Sequence, residues 1–374
     1  MMIKYLIRIA AALAVAGGFA AAPAVAADID YGKAGEPVKL VVGYQPYYTE
    51  SWTGVVMRGK KFYEKYLPKG STVEFQIGLQ GAIIVNNMLA GKQHIGYMGD
   101  MPSIVSTTKT EVADIRLVSA VGMGKDMCNI FLVRKDAPAF ASPQAAMKWL
   151  DGKQVATAKG ACSDRFAQAV FKKQGVTPKD YLNQNIEVMT SNFRAGKIDA
   201  AIIWEPTASR LVEEGLARRI ASGVNVDEND AGFLAMRADL IKTRPDIVKA
   251  WLNAELDAAL FMADEKNANE VARIIAEQTT GFTPRVLWKS LYGEYSANEG
   301  GIKTRLILPF GFTPDAMELL SKASEFLFSI KSINVPKMRA EAVMPEFTEQ
   351  IMKERNLKMP VGDVTTLPES QAPK

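Results

Sequence analysis

The chain has 374 residues, 48% of them hydrophobic and 23% charged, and a net charge of +4. That is ordinary globular composition, and the Lys and Arg are too few and too dispersed to suggest a nucleic-acid partner. One His and two Cys leave no set of three or four His/Cys ligands for a zinc site.

The first 26 residues read as a cleavable export signal. Lys4 and Arg8 give a positive start, residues 9–22 an apolar run, and Ala24-Val25-Ala26 a small-residue cleavage site. The run is about 14 residues, shorter than the roughly 20 that a membrane-spanning helix needs. No Cys follows it to take a lipid. Export places the rest of the chain in the periplasm, an oxidising compartment. What remains after residue 26 is longer than one core usually serves, so two domains are expected.

Residues 27–37 are a polar leader, and 38–44 a short buried strand ended by Gly43 and Tyr44. Residues 45–52 form a loop dense in aromatic and polar groups. A helix is expected over 55–66, stopped by Pro68 and Gly70, and a strand over 72–77. Gly78-Leu79-Gln80-Gly81 is a loop, 82–90 a helix, and 94–98 a strand closed by Gly99-Asp100-Met101-Pro102. Another helix starts near Ser103. Strands follow at 115–120 and 129–133, then a helix at 143–150 and a strand at 154–158. Lys159 to Asp164 form a loop before a helix over 165–174. Residues 186–189 read as a strand, 193–197 as a short helix, and 199–204 as a strand ending at Glu205-Pro206. From about 244 to 331 the chain reads as mostly helical, and 358–374, with three Pro, as a loosely attached tail.

Strand-helix alternation with short connections indicates an α/β fold. Helices starting at the ends of strands near 81, 102 and 164 present free backbone N–H groups and a positive dipole end. Ligands of open α/β sheets bind at that edge. The single His94 lies in a turn entering a strand, which suits a strand-edge residue better than a catalytic one.

Four stretches, taken in order, resemble the substrate-binding proteins of nitrate, sulfonate and taurine ABC importers, over roughly residues 38–330. They are Gly78-Leu79-Gln80-Gly81 with Leu89-Ala90-Gly91-Lys92; Tyr97-Met98-Gly99-Asp100-Met101-Pro102; Ala158-Lys159-Gly160-Ala161-Cys162-Ser163; and Gly196-Lys197-Ile198-Asp199-Ala200-Ala201-Ile202-Ile203-Trp204-Glu205-Pro206. His94 stands where the family usually has Asp.

The resemblance implies a type II periplasmic-binding-protein fold. One lobe would hold 38–126 plus 235–330 and the other 129–230, with two crossing strands as hinges near 122–129 and 227–233. Residues 331–374 would be a C-terminal extension. It further implies a monomer that binds a small organic anion without catalysis or cofactor, delivering it to a permease and an ATPase. A thiamine-pyrimidine-type enzyme and a sensory partner of a receptor are the competing readings.

The candidate ligand residues are Gln45, Tyr47, Tyr48 and Trp52 in the first loop; Gln80 and Gly81; Asp100 and Met101; Asn129; Ser163, Asp164 and Arg165; and Trp204 and Glu205. Arg165 either meets the anion or pairs with Asp164. Asp100, Asp164 and Glu205 either recognise an amine or cap helices. If the first crossing and the loop before the 165–174 helix are neighbours, Cys128 and Cys162 form a disulfide at the cleft wall.

Overall fold

The computed structural model describes residues 29–374, so the export signal expected at 1–26 lies outside the described residues. Twelve strands are present among them: β1 Lys39–Tyr44, β2 Thr72–Ile77, β3 Ile95–Gly99, β4 Ile115–Gly124, β5 Ile130–Arg134, β6 Gln154–Thr157, β7 Asp180–Asn183, β8 Ala200–Ile203, β9 Ala217–Ser222, β10 Asp230–Arg237, β11 Thr304–Leu308 and β12 Gly362–Thr365.

They form two sheets, ordered β12-β11-β4-β10-β3-β1-β2 and β7-β6-β8-β5-β9. In the larger, β1 runs parallel to β2 and β3, while β10 is antiparallel to β3 and β4. In the smaller, β6 is parallel to β7 and β8, and β5 is antiparallel to β8 and β9. Every residue of β10 is buried, as a central strand covered on both faces requires.

Helices cover both faces of the larger sheet. Trp52, Trp251 and Trp288 pack in the core on one side, and Ile84, Ile104 and Leu320 in the core on the other. The smaller sheet likewise lies between the cluster of Phe131, Phe166 and Val170 and that of Ile130, Met189 and Ile203. The result is an α/β fold of two lobes.

The chain leaves the larger sheet after β4, crosses at 125–129 into β5, and returns from β9 into β10. The crossings press together at Gly223. A Cβ there would lie 2.2 Å from the Glu228 carbonyl oxygen and 2.4 Å from that of Lys125, so only glycine fits. Asn129 ties the same point by donating from Nδ2 to the Glu228 carbonyl at 2.9 Å.

Three local expectations change. Residues 186–189 begin the helix Ile186–Arg194 rather than forming a strand. Asn185 caps it by accepting the Val188 N–H, and the buried Met189, Thr190 and Phe193 follow helical spacing. The strand of this region is β7, just before. Within the stretch read as helical, β11 pairs with β4 and β12. The tail is not loose: β12 adds the outermost strand of the larger sheet, with Val364 and Leu367 buried in its core. Two well-placed apolar side chains and a ladder suffice to dock a segment otherwise rich in Pro.

Candidate functional site

A cavity of about 320 Å³ opens between the two lobes. Lobe one contributes Gln45 and Tyr48 from the loop after β1, residues 80–82 with Val85 and Asn86, residues 99–102 with Val105, and Ser332 from the C-terminal part. Lobe two contributes residues 158–162 and Trp204.

Three helices start at its wall: Gly81–Leu89, Asp100–Thr107 and Cys162–Gln174. Each follows directly from a strand or its short loop, and the N-cap residues Gln80, Gly99 and Ala161 make no side-chain capping bond. The starts at Gly81 and Cys162 therefore point backbone N–H groups at the cavity. At the third, Asp100 occupies its own helix end by accepting the Met101 N–H on Oδ1 at 2.8 Å. Beside Gly81 lies the buried amide of Gln45, whose Oε1 has no hydrogen-bond partner.

Cys128 and Cys162 are joined in a disulfide with a Cα–Cα separation of 6.1 Å. It packs with Tyr48 and Trp204 as an apolar group of four side chains, of which Tyr48, Cys162 and Trp204 line the cavity. Tyr48 donates its hydroxyl to the Ala231 carbonyl at 3.2 Å, and burial pushes that hydroxyl well above its ordinary pKa. Against the disulfide sits Asp230, wholly buried; burial pushes its pKa well above the usual range, and the Cys128 N–H and the Tyr48 hydroxyl pull it back in part. Cys128, Cys162 and Asp230 are the only group of three potential metal ligands among the described residues, and the disulfide engages both sulfurs.

Seven of the fourteen sequence-derived ligand candidates line the cavity: Gln45, Tyr48, Gln80, Gly81, Asp100, Met101 and Trp204. The others lie elsewhere. Trp52 is fully buried in the core of lobe one, its indole N–H donating to the Pro46 carbonyl. Tyr47 sits on the rim, bonded to Thr280 and packed against Phe282. Asn129 braces the crossings. Ser163 bonds to Thr157 at 2.9 Å beneath the helix start.

The charged candidates are engaged by the protein itself. Asp164 accepts the Gly160 N–H and the Tyr181 hydroxyl, closing the loop before its own helix. Arg165 does not pair with Asp164. Its guanidinium meets Asp100 Oδ2 at 3.2 Å, Glu228 Oε2 at 2.6 Å and the Asn229 carbonyl. Glu205 is fully buried, bonded to Ser209 and set among Asp126, Arg219 and Arg305 behind the crossing. Burial raises the pKa values of both Asp100 and Glu205, while the neighbouring guanidinium groups pull them back down.

His94 accepts the Val41 N–H on Nδ1 and stacks edge-on against Tyr31, away from the cavity. Lys159 and Ser332 line it but were not among the candidates. Lys159 belongs to the Ala158–Ser163 motif; Ser332 carries no local signal and is brought in by the packing of the helix Pro314–Ser329 on Asp100–Thr107.

The model of the NMT1-like family matches residues 33–276. A taurine-binding periplasmic protein of Escherichia coli is 22% identical over 253 residues, 64% of this chain and 73% of that protein. A putative aliphatic sulfonates-binding protein of the same organism is 27% identical over 54% of this chain and 60% of that one. Among solved structures, the alkanesulfonate-binding protein SsuA of Xanthomonas axonopodis bound to MOPS superposes with a TM-score of 0.63 at 19% identity, covering 83% of this chain and 99% of that one. The desulfurization enzyme DszB is also similar in fold, with a TM-score of 0.62 at 16% identity over 85% of this chain and 99% of that one.

Proposed function

Because the chain belongs to the NMT1-like family, we propose that it is the solute-binding component of an ABC importer, taking a small organic anion between its lobes. In this reading residues 1–26 direct export, the mature monomer works in the periplasm, and the segments 125–129 and 223–229 are the hinges. Closing about them would bury the ligand and present a loaded form to the permease and ATPase.

The observation that carries the reading is the convergence on one cavity of the uncapped helix starts at Gly81 and Cys162, with the Gln45 side chain, whose Oε1 has no partner, beside them. Helix starts attract an oxyanion without a full cation. An amide turned over about its last bond offers two further donors to the same group. The apolar faces of Tyr48, Val85, Met101, Val105 and Trp204 suit an organic body attached to that anion. A sulfonate or carboxylate with a short carbon chain matches both ends. Asp100 faces Arg165, so an amine such as that of taurine would lie toward the mouth rather than against a free carboxylate.

Binding without turnover follows from the same arrangement. The carboxylate among the lining residues is paired, His94 faces away and Lys159 lies at the exposed rim, which supports binding over catalysis. A thermal-shift screen of the mature protein with sulfonates, carboxylates, amines and nitrate, followed by calorimetry, tests this. A ligand at 100 times its Kd adds about 2.7 kcal/mol to native stability. At least one sulfonate or carboxylate should raise the Tm and be recovered unchanged. A flat screen, or conversion of the ligand, would overturn the reading.

A further inference from the structure

The charges around the cavity do not favour anions by number. Arg165 is 6% exposed and Asp100 fully buried, so water and salt screen them weakly. With Glu228, the cluster holds one guanidinium against two carboxylates. The one cation among the lining residues, Lys159, is exposed at the rim, its ammonium 4.6 Å from the centre of the Tyr181 ring. A ligand head group at the helix starts therefore meets uncharged N–H donors with a fixed carboxylate beside them.

We infer that Asp100 is a charge-selectivity residue: a cavity-lining residue whose buried carboxylate pairs with Arg165, it makes the site accept a monoanionic head group and reject a dianionic one of the same shape. The inference rests on the anion-binding reading above. Shape alone separates the two classes poorly, since a sulfonate and a phosphate monoester each present a tetrahedral centre with three terminal oxygens. Charge separates them well. The helix starts attract both, but each added negative charge is repelled by Asp100 in a weakly screened interior. An unpaired arginine would act in the opposite sense and favour the dianion.

The test uses 1-propanesulfonate and ethyl phosphate, near-isosteres, titrated calorimetrically at pH 8 into the mature protein and its D100N and E228Q variants. At that pH the phosphate ester is a dianion, its second pKa being about 6. The native protein should prefer the sulfonate by at least about tenfold. D100N should narrow that preference by about tenfold, chiefly by gaining affinity for ethyl phosphate. E228Q removes a carboxylate from the same cluster outside the cavity lining and should narrow it less; it carries the test alone if D100N does not fold. A native protein that binds both probes equally overturns the inference, as do variants that weaken both by one factor. If neither probe binds any of the three proteins, the anion-binding reading fails and this inference with it; if the sulfonate binds but ethyl phosphate binds none of the three, this inference alone is overturned.

Discussion

Trp204 donates its indole N–H to the backbone carbonyl of Tyr47 at 3.0 Å, joining the end of β8 in lobe two to the loop after β1 in lobe one. The same indole packs on the disulfide and lines the cavity, so one side chain both touches the ligand space and holds the lobes together across it.

Trp204→Phe keeps an aromatic face but removes the bond. A net hydrogen bond contributes about 1 kcal/mol, or roughly fivefold in an equilibrium constant. Ligand should dissociate about five times faster from the variant, read by stopped-flow fluorescence of the remaining tryptophans. An unchanged dissociation rate would show that this contact does not hold the closed form.

Cutting the Cys128–Cys162 link should lower both stability and affinity. The cysteines are 34 residues apart, and the chain-entropy model gives about 4 kcal/mol for a loop of that size. The C128S/C162S protein should therefore melt well below the oxidised one in calorimetry. Because Cys162 begins a cavity-facing helix, ligand affinity should fall as well. Reduction of the native protein with a phosphine should reproduce both effects, and equal melting temperatures with and without the bond would contradict the account.

Glu255 gives the fold a pH dependence of its own. It is buried beside Tyr97, whose hydroxyl donates to it at 2.7 Å, and burial pushes its carboxyl up to about 7. Between about pH 4.5 and 7 the folded chain keeps a proton there that the unfolded chain releases. Native stability should thus fall as pH rises through that window, by up to about 1.4 kcal/mol per pH unit from this group. In Glu255→Gln the neutral side chain should flatten that part of a Tm-against-pH curve. A variant whose curve parallels the native one would assign the slope to other groups.

The helix starts are legible because they are written locally, whereas the two-lobed arrangement is what the family resemblance implies. Short apolar runs alternate with Gly-bearing turns, and a turn that ends a strand and opens a helix fixes where backbone N–H groups point. The Cys128–Cys162 pairing is expected only on the condition, set by the fold the resemblance implies, that two distant segments are neighbours, and the two cysteines are joined. What stayed hidden depends on distant partners. Arg165 reads as an anion ligand or a partner of the adjacent Asp164, yet its ion pairs are with Asp100, 65 residues away, and Glu228. Trp52 and Glu205 have the same composition as ligand residues, and only packing sends one into a core and the other into a buried ion cluster. The strands β9 and β11 were missed because each is a short run whose meaning comes from its neighbour in the sheet, not from its own pattern.

Ser332 and β12 carry a practical consequence. The part shared with the family model stops at residue 276, yet the lining residue Ser332 and two strands at one edge of the larger sheet come later. A chimera spliced at that point would transplant the helix starts without Ser332 or the two edge strands. Recombination partners, and any tag attached beyond Leu367, should be chosen with the whole of residues 29–367 treated as a single inheritable unit.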